Sequence, residues 1–183
     1  LASNGAPLAD RRDVAPPDPE DTALFLHTSG TTSRPKGVPL THANLVASLA
    51  NIRGTYELTP DDVAMVVMPL FHVHGLLGVA LSTLTSGGTV VLPERFSASA
   101  FWAVQKETGA TWYSAVPTIH QVLLLRADDD GAPHSSFRLI RSCSSALAPS
   151  VHEEMERRFG APVLEAYGMT EASHQMSSNP LPP

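Results

Sequence analysis

The chain has 183 residues, 43% of them hydrophobic and 16% charged, which is typical of a single globular domain and excludes a disordered or fibrous chain. The formal net charge is -6 and the basic residues are scattered, so we expect no nucleic-acid partner. No apolar run approaches the roughly 18 residues that a bilayer span needs, so we expect no membrane insertion. We therefore expect a cytoplasmic protein, with a peroxisomal location left open for a eukaryotic source.

The order of predicted elements indicates an α/β fold with a largely parallel sheet and flanking helices. Residues 1–21 hold four prolines and seven charges, which predicts a loop or linker before a domain at 22–183. Strands are predicted at Ala23–His27, Val63–Met68, Thr89–Leu92, Thr111–Ala115, Leu139–Ser142 and Val163–Ala166. Helices are predicted after a Thr41 cap, at Gly75–Leu84, from a Ser97 cap to Gly109, from Pro117, and at Pro149–Phe159. The run Asp128–Pro133 is expected to be a surface turn.

Between the first strand and the first helix lies the run His27–Gly37, which combines five hydroxyl side chains, two glycines and two cations. Backbone N–H groups and hydroxyls supply short donors, glycine lets the main chain approach closely, and Lys36 adds a positive charge. Such a loop suits phosphates, although an ordinary Ser/Thr-rich surface loop has the same composition. A P-loop is the rival phosphate binder, but it needs Ser or Thr after its lysine, and here Gly37 follows Lys36.

A second polar motif, Tyr167–Glu171, directly follows a predicted strand, where parallel α/β sheets place their ligand sites. An aromatic ring can stack on a base, a hydroxyl can contact phosphate, and a carboxylate can hold magnesium. A strand end followed by a helix cap is the alternative interpretation. His174 comes three residues after Glu171, so on a starting helix it would share that residue's face and point into the same cavity.

These two motifs carry a resemblance to a known superfamily. TSGTTSRPKG at Thr28–Gly37 resembles the first signature of the adenylate-forming acyl-CoA synthetases, peptide synthetases and luciferases. YGMTE at Tyr167–Glu171, about 140 residues further along, resembles the second. The resemblance implies part of the layered, large N-terminal domain of such an enzyme. It also implies ATP, magnesium and coenzyme A as partners of a carboxylic acid that is activated through an acyl-adenylate.

The resemblance further implies roles for individual residues. Tyr167 would stack on adenine, Thr170 would contact the α-phosphate, and Glu171 would coordinate magnesium together with Thr28. Catalytic roles would fall to Lys36, Thr170, Glu171 and His72. The implied nucleotide-binding residues are Thr28, Ser29, Gly30, Thr31, Thr32, Lys36, Ser145, Ala146, Ala166, Tyr167, Gly168, Met169 and Thr170.

The remaining polar side chains near these motifs favour a small acid. His72, Ser144 and His174 offer hydrogen-bond donors and charge rather than the apolar lining that fatty or aromatic acids need. The sequence around these residues closely resembles the oxalate–CoA ligase subfamily, in segments that include PLFHVHG, IRSCSSALAP and EAYGMTEASH. The resemblance implies that His72, Ser144 and His174 bind oxalate. His74 is either a ligand or a hydrogen-bonded core histidine, and two histidines alone are too few for a metal site.

Other functions stay open at this point. The superfamily has further parts beyond the motifs found here, including a mobile C-terminal domain, so we expect a fragment that is inactive alone. A nucleotide-binding module without catalysis is one alternative to a ligase. An adenylation domain that loads the thiol of a carrier protein is the other.

Overall fold

The computed structural model describes residues 15–28, 35–127 and 137–183, which form an α/β fold with two sheets. The main sheet has six strands in the order β4-β3-β5-β6-β7-β8, and β1 and β2 form a separate antiparallel pair. The strands are β1 Thr22–Thr28, β2 Lys36–Thr41, β3 Val63–Val66, β4 Thr89–Val91, β5 Trp112–Ala115, β6 Leu139–Cys143, β7 Val163–Met169 and β8 His174–Ser178. The helices are α1 His42–Tyr56, α2 Val73–Gly75, α3 Ser82–Thr85, α4 Phe101–Thr108, α5 Pro117–Arg126 and α6 Pro149–Phe159.

The main sheet is parallel from β4 to β7, and only β8 runs antiparallel to its neighbour. The carboxyl ends of β3, β5, β6 and β7 therefore meet at one edge. Alternate residues of the central strands enter two hydrophobic cores on opposite faces: Met65 and Tyr113 lie on one side, Ala64 and Trp112 on the other. Burial on both faces explains why these strands read as continuous apolar runs.

Local sequence signals account for most helix ends. Thr41 caps α1, since its Oγ1 accepts from the backbone N–H of Asn44 and the Asn44 side chain accepts from the backbone N–H of Thr41. Gly109 ends α4 with a left-handed φ of 66°, as predicted. Pro117 and Pro149 occupy the first turns of α5 and α6, also as predicted.

Four local predictions need correction. Lys36 and Gly37 were expected in a loop, but they begin β2, which pairs with β1. Ser97 does not cap α4, because that helix starts at Phe101 and the Ser97 hydroxyl contacts the hydroxyl of Ser99 instead. The helix predicted at Gly75–Leu84 is interrupted by a π-helical segment, Leu76–Leu81, between α2 and α3.

The fourth correction concerns the segment after Glu171. Instead of a helix, a single 3-10 turn, Thr170–Ala172, leads into β8. Ser173 and His174 have φ values of 54° and 94°, which a continuing right-handed helix does not allow. The turn predicted at Asp128–Pro133 lies outside the described residues. Within the ranges that are described, no helix is long and apolar enough to span a bilayer.

Candidate nucleotide and acid site

A cavity of about 550 Å³ opens at the carboxyl ends of β6 and β7. Parallel α/β sheets characteristically place ligands at this edge. One wall is the turn after β6, another is the last part of β7, and a third is the end of β8. The lining residues are Ser144, Ser145, Ala146, Glu165, Ala166, Tyr167, Gly168, Ser177, Ser178 and Asn179.

Five of the predicted nucleotide residues line this cavity: Ser145, Ala146, Ala166, Tyr167 and Gly168. Ser145 and Ala146 face Ala166 and Tyr167 across it because Cys143, at the end of β6, pairs with Ala166 of β7. The Tyr167 side chain is 62% exposed, so its ring is accessible to a planar base. Met169 and Thr170 follow at the end of β7 and the start of the 3-10 turn.

Glu165 fixes the shape of the cavity and was not predicted. Its carboxylate accepts a hydrogen bond of 3.2 Å from the backbone N–H of Leu147. Its carbonyl oxygen accepts from the backbone N–H of Asn179 at 2.9 Å. Glu165 therefore ties the turn after β6 and the end of β8 to β7, on which it lies.

The residues predicted to hold phosphate and magnesium lie on two adjoining elements. Thr28 and Lys36 are paired partners in the β1–β2 hairpin, and β2 packs against the 3-10 turn that carries Thr170 and Glu171. The Glu171 side chain is exposed. Between Thr28 and Lys36, the predicted Ser29, Gly30, Thr31 and Thr32 lie outside the described residues.

Thr28 and Glu171 can hold magnesium only together with a bound nucleotide, whose phosphates complete the set of ligands. Within the described ranges, no group of three or more His, Cys, Asp or Glu side chains is placed to hold a metal. One exposed carboxylate, that of Glu171, together with one hydroxyl, that of Thr28 on the adjoining hairpin, matches the usual protein share of a magnesium site, in which substrate phosphates supply further ligands.

Behind the cavity lies a buried polar cluster centred on His74. Its Nδ1 is 3.1 Å from the Oγ of Ser144, which lines the cavity, and its Nε2 is 2.7 Å from the Oγ of Ser114, at the end of β5. His174 stacks on His74 with ring centroids 5.3 Å apart. His74 is thus a hydrogen-bonded buried histidine, one of its two predicted alternatives, and its ring joins two residues predicted for the acid.

Arg141 of β6 is the charged member of this cluster and was also not predicted. Its side chain is fully buried. The guanidinium donates to Tyr56 Oη at 2.7 Å, Ser114 Oγ at 3.1 Å, His174 Nε2 at 2.9 Å and Gln175 Oε1 at 3.2 Å. The signal in the sequence was one arginine inside a strand that is otherwise expected to be buried.

The three buried histidines are held in their neutral form. Burial and the positive charge of Arg141 lower the pKa of His74 to about 3 and that of His174 to about 2. Burial also lowers the pKa of His120, whose ring contacts the Tyr113 hydroxyl, to about 4. Near neutral pH, Arg141 is therefore the charged member of the cluster.

His72 is near enough to His74 to help lower the pKa of that residue, but its side chain is exposed. Its ring lies 4.6 Å from that of its neighbour Phe71, tilted by 52°. Of the three residues predicted for the acid, the structure links Ser144 and His174 through His74 and leaves His72 on the surface. The predicted acid-binding role of His72 stays a prediction.

Known proteins with similar sequences are CoA ligases. The chain is 59% identical to the oxalate–CoA ligase of Arabidopsis thaliana over 90% of its length and 32% of that protein. It is 57% identical to the oxalate–CoA ligase of Saccharomyces cerevisiae, covering 89% of this chain and 30% of the relative. For the sulfoacetate–CoA ligase of Cupriavidus necator, identity is 46% over 93% of this chain and 33% of the relative.

Solved structures agree with this similarity. Apo MatB from Rhodopseudomonas palustris matches 94% of this chain and 34% of its own with a TM-score of 0.83 and 31% identity. A malonyl-CoA ligase with methylmalonyl-CoA and AMP bound matches 88% of this chain and 35% of its own, with a TM-score of 0.79 and 37% identity. The chain spans about a third of the length of the curated relatives that it matches.

A largely parallel α/β sheet with a polar cavity at the carboxyl ends of its strands is the arrangement in which α/β proteins bind their ligands. Residues 2–183 match the AMP-binding enzyme family, and the chain belongs to this family.

Proposed function

We propose that this chain forms the ATP- and acid-binding part of an acid–thiol ligase that activates oxalate and transfers the oxalyl group to coenzyme A. The observation that carries the proposal is the position of Ser144. Its backbone turn lines the cavity beside Tyr167, and its hydroxyl contacts the buried cluster of His74 and Arg141. A nucleotide site and a positively charged acid site thus share one wall.

The cavity suits a nucleotide on its outer side. Tyr167 offers an exposed ring to adenine, and the turn at Ser145 and Ala146 can lie against it. Lys36 and Thr170, on two elements that pack together, would hold the phosphates. Glu171 with Thr28 would hold magnesium, which neutralises phosphate charge. These roles match those that the resemblance to the superfamily implies.

The cluster behind the cavity suits a small dianionic acid. Hydroxyl and imidazole groups with one buried guanidinium favour a second carboxylate over an alkyl chain. The relatives' names support this choice, since oxalate and sulfoacetate both carry two acidic groups. We assign Ser144 and His174 to the acid, and we keep His72 as the third acid-binding residue that the resemblance implies.

The chemistry needs no covalent intermediate on the enzyme. One carboxylate of the acid attacks the α-phosphorus of ATP, which forms the acyl-adenylate and releases pyrophosphate, and the thiol then displaces AMP. The side chains of this chain contribute orientation and charge neutralisation in the first step. We propose Lys36, Thr170, Glu171 and His72 as the residues that act on the reacting groups.

Exchange of pyrophosphate into ATP in the presence of oxalate tests the proposal on the complete protein. We expect oxalate-dependent exchange that Glu171→Gln lowers roughly tenfold or more, because the magnesium ligand is lost. Glu153→Gln, on the exposed side of α6, is the matched control and should leave exchange unchanged.

The other outcomes distinguish the two alternative functions. Saturable ATP binding without exchange for any acid would identify a non-catalytic nucleotide-binding protein and contradict the proposal. Exchange with oxalate but thioester formation only on a carrier protein, not on coenzyme A, would identify a carrier-loading domain.

A further inference from the structure

The guanidinium of Arg141 is buried, and the part of the chain that the structure describes offers it no countercharge. All four of its hydrogen-bond partners in the described ranges are neutral groups: a phenol, a hydroxyl, an imidazole and an amide. Taking a cation out of water without pairing costs several kcal/mol, so such charges are rare in a fold unless something offsets them. By contrast, Arg138 in the same region forms a salt bridge of 3.1 Å with Asp62.

A chain of hydrogen bonds leads from this charge to the cavity, and its direction is fixed. Arg141 can only donate, so Ser114 Oγ accepts from it. Within the described residues, the one acceptor found for the Ser114 hydroxyl hydrogen is Nε2 of His74. His74 is neutral and accepts at Nε2, so Nδ1 carries its proton and donates to Ser144 Oγ.

The consequence appears at the end of the chain. Because Ser144 accepts from His74, its own hydrogen is available to an acceptor in the cavity that it lines. The Tyr56 hydroxyl accepts from Arg141 and donates to Gln175 Oε1, and the Ser178 hydroxyl beside it has protein acceptors of its own. The path through Ser114 and His74 is therefore the one that ends at a free donor on the cavity wall and favours an anion there.

We propose that Arg141 is the positioning residue that makes this site specific for acids with a second anionic group, acting through Ser114 and His74 to orient the Ser144 hydroxyl as a donor. This role for Arg141 rests on the proposed function and concerns which acids the site accepts. The second carboxylate of the acid supplies the countercharge that the fold omits. An acid of the same size with a neutral group in that place leaves the cation unpaired and is therefore rejected.

Oxalate and oxamate test this, because oxamate replaces one carboxylate by an amide of nearly the same size. On the complete protein we would measure pyrophosphate exchange and the equilibrium binding of both acids by calorimetry. The parent should prefer oxalate. Arg141→Gln should reduce the ratio of oxalate to oxamate efficiency roughly tenfold or more, with the KM for ATP unchanged. Arg141→Lys, which retains the charge, should restore part of the ratio.

Arg138→Gln is the matched control. It removes an arginine paired with Asp62, so it should lower stability but keep the preference for oxalate. Equal losses for both acids in Arg141→Gln, or an unchanged ratio, would show that Arg141 is merely structural and would overturn the proposal.

A second variant and the binding measurements on the parent separate the role of Arg141 from loss of folding and from loss of ligase activity. Where Arg141→Gln does not fold, Ser114→Ala interrupts the chain of hydrogen bonds while keeping the cation, and it should also reduce the ratio. If the parent binds oxalate in preference to oxamate but shows no exchange, the proposed ligase function fails and the selectivity stands. If the parent binds neither acid, or both equally, the inference on Arg141 is wrong.

Discussion

Ser173 and His174 are neighbouring residues that both have a positive φ. Such conformations cost on the order of 1 kcal/mol or more for residues other than glycine, so the surroundings must hold them. The hydroxyl of Ser48, a buried residue of α1, donates to the carbonyl oxygen of Ser173. One helix thereby fixes the backbone that presents His174 to Arg141 and His74.

We predict that Ser48→Ala lowers the free energy of unfolding by about 1–3 kcal/mol, because a buried carbonyl oxygen loses its donor. Urea unfolding of the complete protein measures the change. Ser99→Ala removes an exposed hydroxyl and should have no measurable effect. If Ser48→Ala and the parent are equally stable, the hydrogen bond from Ser48 does not stabilise the backbone at Ser173 and His174.

The sequence indicated which individual residues lie near the site, but it did not indicate which side chains they contact. Tyr167 and Ser145 were expected beside a nucleotide and do line one cavity, although their binding roles stay predictions. Arg141 and Tyr56 were missed, because periodicity shows that a residue is buried and not which side chains from distant strands surround it. His74 left two alternatives open for the same reason.

The hairpin of β1 and β2 is joined directly to α1. Thr41 ends β2 and caps α1, so a single residue fixes the angle between them. Val38 and Leu40 of β2 pack on Leu49 of α1 and Leu77 of the π-helical segment. The position of Lys36, at the start of β2, therefore depends on this small core.

We predict that Thr41→Ala destabilises the protein by about 1 kcal/mol through loss of the cap. The KM for ATP should also rise, since β2 carries Lys36. Thr41→Ser retains the capping oxygen and should match the parent in both urea unfolding and ATP kinetics. A rise in KM for Thr41→Ser as large as for Thr41→Ala would exclude the cap as the cause.

The predicted elements fail where tertiary contacts outweigh local preference. Lys36 and Gly37, the first residues of β2, were expected at the end of a loop, and strands disfavour Gly37 and Pro39. Pairing with β1 and burial of Val38 nevertheless make this segment a strand. The segment at Ser173 and His174 looked like a continuing helix because pattern alone does not reveal positive φ. Buried parallel strands and proline-started helices were predicted correctly, since their signals are local.

For the whole molecule, the buried histidines set the response to pH. The pKa values of His74, His120 and His174 fall to about 3, 4 and 2 in the folded state from an ordinary 6.5. Below the ordinary value the unfolded chain binds protons that the folded protein does not. Their contribution to stability is therefore complete above about pH 6.5 and is lost progressively as the pH falls towards the folded values.

We predict that the free energy of unfolding falls by about 1 kcal/mol per buried histidine between about pH 7.5 and about pH 5.5. Urea unfolding at the two pH values measures the difference. The ring of His120 contacts the Tyr113 hydroxyl, outside the cluster of His74, His174 and Arg141. His120→Gln should therefore reduce the fall in the free energy of unfolding between the two pH values by about 1 kcal/mol, the contribution of one histidine. A stability that does not change over this range would contradict the assignment of neutral buried imidazoles.

The partners of Arg141 also couple folding to activity. Tyr56 comes from α1, Ser114 from β5 and Gln175 from the edge strand β8, so the guanidinium is enclosed only after segments more than a hundred residues apart have met. Contacts of this range form late and slow the folding of sheets. A partly assembled chain thus carries an arginine that is still in water. With Arg141 in its proposed role, the ability to discriminate between two acids would report that α1 and the strands from β5 to β8 have come together.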